Sequence, residues 1–204
     1  MSGDVYLLAT RSAGKLRELG SIFGSSQLRV ITLDDAGIPT SADEAAIEAF
    51  PTFEENALAK ARYFRDRSGL PTFADDSGLE VSALGGQPGV RSKRWSGREG
   101  LGGRDLDEAN NATLLLALHG AVDRRARYVC AAAFASRSAE VVRRGEVAGE
   151  IVERPRGDGG FGYDPLFLAA ELGVTFGEAS LEEKERVSHR GRAFRALLDA
   201  MRAG

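Results

Sequence analysis

The chain has 204 residues, 43% of them hydrophobic and 28% charged, with a net charge of −3. These values are those of a globular domain with a buried core, and they weigh against a protein whose main task is to grip nucleic-acid backbone. The single cysteine, Cys130, excludes an intrachain disulfide, and no apolar run approaches the roughly 20 residues that a membrane span needs.

Val5-Tyr-Leu-Leu-Ala9 reads as a buried strand. The segment Thr10-Arg-Ser-Ala-Gly-Lys15 then turns into a helix whose apolar face is Leu16, Leu19, Ile22 and Phe23, with Ser12 as its N-cap. A strand–turn–helix of this kind aims free backbone N–H groups and the positive helix end at one spot, where Lys15 adds a full charge; phosphate suits such a spot. The Walker A spacing is absent, and a capped helix with a surface lysine is the plainer alternative. Leu28–Leu33 is a second strand. Residues 34–51 form an acidic loop with some helix, holding Asp43, Glu44 and Glu48. Thr52-Phe-Glu-Glu55 is a capping box that opens a helix ending near Ser68, with Phe53, Ala57, Ala61 and Phe64 as its stripe and Gly69 as its stop.

Pro71-Thr-Phe-Ala-Asp-Asp-Ser-Gly-Leu-Glu-Val81 is the densest stretch chemically. A short strand delivers Asp75 and Asp76, Ser77 and Gly78 provide a turn, and Leu79–Val81 alternates as a further strand. Adjacent strand residues point to opposite faces. One aspartate can therefore face a ligand while the other braces the backbone, an arrangement suited to Mg²⁺. A solvated turn uses the same residue types. Leu84–Trp95 is a basic loop with one aromatic face, and residues 97–103 are glycine-rich. A helix follows from about Asp105, with Leu106, Ala109 and Leu116 along it. Arg127–Ala135 reads as a central strand, with Cys130 as core packing. Residues 140–152 are strand-rich, with Gly145 and Gly149 as turns or bulges. In Arg156–Pro165, glycines allow close backbone approach, Phe161 and Tyr163 offer rings, and Asp164 offers a carboxylate. Ser180–Glu183 opens a helix carrying Lys184. Ser188-His-Arg-Gly191 opens the last helix, whose stripe is Phe194, Leu197, Leu198 and Met201.

The polar groups sort by charge. Lys15, Lys60, Lys184 and Arg190 suit a polyanion; Glu48, Glu55, Asp75, Asp76 and Asp164 suit a metal or a proton; Phe161, Tyr163 and His189 suit a planar base. A Mg²⁺–purine nucleoside triphosphate would use all three sets.

Five blocks in order make the sequence resemble the inosine triphosphate pyrophosphatase (dITP/XTP pyrophosphatase) family. They are Leu8–Leu19; Thr52–Ala61; Ala74–Leu79 with Leu84–Gly89; Gly159–Pro165; and Glu183-Lys184 with Ser188–Gly191. The resemblance implies an α/β fold: an elongated mixed β-sheet with flanking helices forming two lobes around a central cleft, in one domain spanning residues 1–204. It implies a homodimer, Mg²⁺ dependence, and hydrolysis of ITP, dITP and XTP to the monophosphate and pyrophosphate. Matched by motif, Thr10, Arg11, Ser12, Ala13, Gly14 and Lys15 bind phosphates. Asp76 is the catalytic, metal-associated carboxylate, and Glu48 matches a second metal-binding acid. Ser77, Phe161, Gly162, Tyr163, Asp164, Lys184, His189 and Arg190 contact the nucleotide. Two departures stand out: Thr10-Arg-Ser12 replaces the family's usual Thr-Gly-Asn, and Phe50-Pro51 replaces a glycine before Thr52.

The expected setting is cytoplasmic, with no leader read in Met1–Asp4 and neither membrane nor nucleic acid as a partner. One rival is a pyrophosphatase for other modified nucleotides, pyrimidines included. Another is a nucleotide- or RNA-binding module that uses the Arg91–Trp95 loop and has no metal-dependent turnover.

Overall fold

A computed structural model describes residues 5–203; Met1–Asp4, read above as preceding the first strand, lie outside the described residues. The strands are β1 (Val5–Leu8), β2 (Arg29–Thr32), β3 (Thr72–Val81), β4 (Arg125–Ala135), β5 (Glu140–Ile151) and β6 (Phe167–Ala169). The α-helices are α1 (Ala13–Gly24), α2 (Glu44–Ile47), α3 (Phe53–Ser68), α4 (Gly103–Ala117), α5 (Leu181–Val187) and α6 (His189–Ala203). They flank one mixed six-stranded sheet of order β2-β1-β3-β4-β5-β6. The pairs β1–β2 and β1–β3 are parallel, as strands separated by a helical crossover can be, and β5–β6 is antiparallel.

The chain folds as two compact units. One comprises the chain up to Asp76, Cys130–Gly145, and the chain from Arg190 onward; the other comprises Ser77–Val129 and Glu146–His189. In the first unit, Leu19, Ile22 and Phe23 of α1 pack with Phe73, Cys130, Phe134, Phe194 and Leu197. In the second, Leu79, Leu114, Tyr128, Val147, Tyr163, Phe167 and Phe176 form the core.

The expected punctuation is largely present. Ser12 accepts a hydrogen bond from the Lys15 amide, and Gly69 ends α3 in the left-handed region at φ 73°. Ser180 and Glu183 form a full capping box. Thr52 caps α3 as expected, its hydroxyl accepting from the Glu55 amide at 3.2 Å and donating to the Glu55 carboxylate at 2.7 Å.

Two expectations are corrected. No turn interrupts β3 at Ser77-Gly78: the strand runs through all ten residues, and Asp75 and Asp76 lie within it, buried rather than in a solvated turn. Gly145 and Gly149 likewise make no turn, since both lie inside strand β5, and Gly149 pairs in regular register with Ala169 of β6. A Cβ at Gly149 would meet the Phe167 ring at 2.6 Å, so close approach of β6 demands the glycine. Leu106, Ala109 and Leu116 lie along α4 as expected; its buried residues are Asn110 and Leu114, and Leu116 is 77% exposed. Among the described residues, no helix is long and apolar enough to cross a membrane.

Candidate active site

The first unit gathers four of the five candidate acids, all but Asp164, and three of the four candidate polyanion ligands, all but Lys184. Helix α1 begins at Ala13, so the Thr10–Lys15 turn presents its first amides at the positive helix end. Lys15 reaches Asp75 on β3, with Nζ 2.9 Å from Oδ2. Arg190 joins the same carboxylate at 3.3 Å and also pairs with Glu18 of α1. Arg190 and Asp75 are fully buried, and Glu18 nearly so. Burial alone would raise the Asp75 pKa; Lys15, Arg190 and Lys60 outweigh it and hold the carboxyl well below the usual range. The Cys130 thiol lies 3.9 Å from Asp75, and burial, reinforced by that negative charge, pushes its pKa up.

Asp76, the next residue, sits differently. Its Oδ2 accepts from Asn56 Nδ2 of α3 at 2.9 Å. Burial lifts its pKa above the ordinary value; Lys15 and Lys60 oppose that lift, and the nearby Glu48 charge adds to it. Glu48, at the C-terminal end of α2, is hydrogen-bonded by Lys60 of α3. Burial would raise Glu48, but Lys60 and Lys15 bring it below its ordinary value. Asp76 and Glu48 are thus two carboxylates within electrostatic reach of each other, surrounded by lysines. Among the described residues, no group of three or more acidic, His or Cys side chains could hold a metal by itself. Mg²⁺ fits a two-carboxylate set, because it usually takes one or two carboxylates and completes its shell with water and phosphate oxygens.

Arg11 points away from this cluster. Its guanidinium is bidentate on Glu44, at 2.9 and 2.8 Å, and donates to the Ile38 carbonyl at 3.1 Å. It ties the phosphate turn to the acidic segment leading to Glu48.

The second unit holds the ring-bearing residues. The Lys184 ammonium is buried on the Asp164 carboxylate, 5.0 Å from the Phe161 ring centre and 5.2 Å from that of Phe176. The Phe161 amide donates to Asp164 Oδ2 at 2.7 Å, and the Tyr128 hydroxyl lies 3.4 Å from Oδ1. His189 stacks on Tyr128, with ring centres 4.6 Å apart and planes inclined by 7°. Tyr163 is buried and donates its hydroxyl to the Ser92 carbonyl at 2.8 Å; burial and Asp107 raise its pKa. Ser77 lies half-buried on β3 at the start of this unit. The Arg91–Trp95 loop offers less of an aromatic face than expected: its backbone forms a 3₁₀ turn, and Trp95 packs against the unit's apolar core.

The Ham1 family pattern matches residues 6–200 of this sequence. The chain belongs to the Ham1 family. Its curated relatives in that family include proteins named dITP/XTP pyrophosphatase. That of Mycolicibacterium paratuberculosis is 49% identical over 201 residues, covering 96% of this chain and 94% of the relative. That of Thermus thermophilus is 46% identical over 208 residues, covering 100% and 95%. A Ham1 protein of Coxiella burnetii has a similar structure, with a TM-score of 0.83 at 33% identity over 98% of this chain and 100% of that one. A nucleoside-triphosphatase / dITP/XTP pyrophosphatase of Mycobacterium abscessus gives 0.72 at 42% identity over 95% and 98%.

Sequence reading missed several residues of this Ham1 chain's polar clusters. Glu18 had a signal: it is a charge on the buried stripe of α1, four residues before Ile22 and four after Gly14. Asn56 lies in the Thr52–Ala61 block and is not among those missed, but its bond to Asp76 links residues 20 apart in sequence, and no local pattern predicts that partner. Tyr128 looked like any strand residue, and Asp107 and Asn111 like solvated positions on α4.

Proposed function

We propose that this chain hydrolyses deaminated purine nucleoside triphosphates (ITP, dITP and XTP) to the monophosphate and pyrophosphate, with Mg²⁺ as its cofactor. The observation that carries the reading is the acid pair Asp76 and Glu48, set among Lys15, Lys60 and the N-terminal end of α1. Full-length similarity to relatives named dITP/XTP pyrophosphatase supports the choice of substrate.

Asp76 and Glu48 would hold the cation. When bound, Mg²⁺ neutralises phosphate charge and acidifies a coordinated water. Lys15 and the first amides of α1, at Ala13 and Gly14, hold the phosphate tail, and Thr10 shapes the turn before them, its hydroxyl accepting from the Ser12 amide at 3.2 Å. Arg11 acts by bracing that turn through Glu44, and Ser12 by capping the helix. Asp75, pinned by Lys15 and Arg190, fixes the strand beneath Asp76. Asp76, held in place by Asn56, is also the carboxylate that would take a proton from the attacking water. Catalysis is then mostly positioning and electrostatics.

In the second unit, the roles are recognition. Phe161 supplies a face for the purine ring, and Ser77, Gly162, Tyr163, Asp164, Lys184 and His189 form the polar surround. A surround that donates to a 6-oxo group is left with donors facing donors when the 6-amino group of ATP enters, and mismatch of this kind rejects substrates by roughly 10⁴-fold. The same reading carries a homodimer in the cytoplasm.

The deciding experiment incubates the protein with Mg²⁺ and ITP, XTP, GTP or ATP and identifies the products. Monophosphate and pyrophosphate from ITP and XTP are expected, with ATP spared. Diphosphate and orthophosphate, or no metal-dependent turnover, would sink the reading.

A further inference from the structure

Helix α4 carries two side chains with no part in the chemistry above, and both reach the same backbone residue. The Gly162 amide donates to Asp107 Oδ2 at 2.8 Å. The Asn111 amide nitrogen donates to the Gly162 carbonyl at 3.1 Å. Asp107 and Asn111 are four residues apart, so they lie on one helix face, one turn above the other. Together they take both polar groups of a single residue. Gly162 has φ +63°, and a Cβ there would meet nothing within 4 Å. The glycine is therefore demanded by backbone conformation rather than by crowding, and the α4 bonds hold that conformation in place.

Neighbouring residues are anchored separately. The Phe161 amide is bonded to Asp164 at 2.7 Å, and the Tyr163 hydroxyl to Ser92 at 2.8 Å. Among the described residues, Asn111 Oδ1 is buried without a hydrogen-bond partner, while the amide nitrogen is tied to Gly162. A buried oxygen left so is a cost to the fold, which points to a use for the nitrogen on the other side of the amide.

We infer that Asp107 and Asn111 are positioning residues for nucleobase selection, clamping Gly162 so that the Phe161–Asp164 loop meets the purine in one conformation. This rests on the function proposed above and deepens it. Neither side chain touches the nucleotide. Each acts through the loop, because recognition by hydrogen bonds requires groups held to within about 0.5 Å.

The test measures kcat and KM for ITP and for ATP in wild type and in Asp107→Ala, Asn111→Ala and Asp107→Asn, together with melting temperature and inhibition by inorganic tripolyphosphate. The alanine variants should raise KM for ITP about fivefold or more with kcat kept within about threefold. Their ITP/ATP ratio of kcat/KM should fall about fivefold or more, with tripolyphosphate inhibition unchanged. Asp107→Asn should keep the wild-type kcat, KM and ITP/ATP ratio, since an amide oxygen still accepts from the Gly162 amide. Should Asp107→Ala fail to fold, Asn111→Ala and Asp107→Asn decide the matter. An unchanged ITP/ATP ratio, or equal losses on both substrates tracking a lower melting temperature, overturns the clamp. Wild-type protein that hydrolyses neither ITP nor XTP overturns the proposed function and the clamp with it.

Discussion

Asp76 shares its side chain, its burial and two nearby lysines with the residue before it, yet its carboxyl is pushed the opposite way. Asp75 is held as an anion by Lys15, Arg190 and Lys60, whereas Asp76 is lifted by burial and bonded by Asn56. Replacing Asp76 with Asn keeps an acceptor for Asn56 but removes the charge. Turnover of ITP should fall at least about 100-fold while far-UV circular dichroism stays native; near-normal turnover would take Asp76 out of the mechanism. A second titration can be read at Asp107. Burial raises its pKa, against the opposing bond from Gly162 and the charge of Lys93. A carboxyl raised in the folded state contributes stability that is complete below its unfolded value of about 4 and is lost as pH rises through the folded value. Asn at this position does not titrate. The melting temperature of Asp107→Asn minus that of wild type should therefore grow more positive between about pH 3.5 and pH 7. A difference that stays constant over that range would show that Asp107 ionises without cost. Both acids of the Asp75-Asp76 pair could be named from the sequence. Their opposite facing followed from strand geometry, and the resemblance named Asp76 as the working acid; that Asn56 bonds Asp76, and that Arg190 with Glu18 backs Asp75, could not be read, because these partners come from three different helices.

Helix ends were the most legible feature at the element scale. Ser12, Thr52, Gly69 and Ser180 act locally, through bonds to residues within four positions, and all four mark helix termini. Glycines inside strands misled, because the same residue serves a bulge or a close neighbour and only the tertiary structure says which. At Gly149 it is the neighbour: β6 packs where a methyl group would go. Gly149→Ala should push β6 off β5 and cost roughly 1–3 kcal/mol, read as a lower urea midpoint. An unchanged midpoint would mean that the pair relaxes freely. The continuity of β3 was hidden for a related reason. Asp-Asp-Ser-Gly is turn chemistry in water, but buried partners for the acids keep the strand extended.

Across the whole molecule, the apolar pattern of the strands and helices located both cores without showing that they are two. Strands β3, β4 and β5 each contribute residues to both units. A strand cannot melt at one end and keep its ladder intact, so the units should unfold together. The only tryptophan, Trp95, belongs to the second unit and reports on it alone. Its fluorescence and far-UV circular dichroism should trace one coincident urea transition; separate midpoints would show that each unit stands without the other. The stacked pair Tyr128 and His189 supplies a complementary probe that needs no label. A phenol lying parallel to an imidazole at 4.6 Å shields the imidazole protons by its ring current. The only other histidine, His119, is exposed. In a proton NMR spectrum the two should therefore separate, with the His189 signal displaced upfield, where any nucleotide that disturbs the stack would be seen to move it.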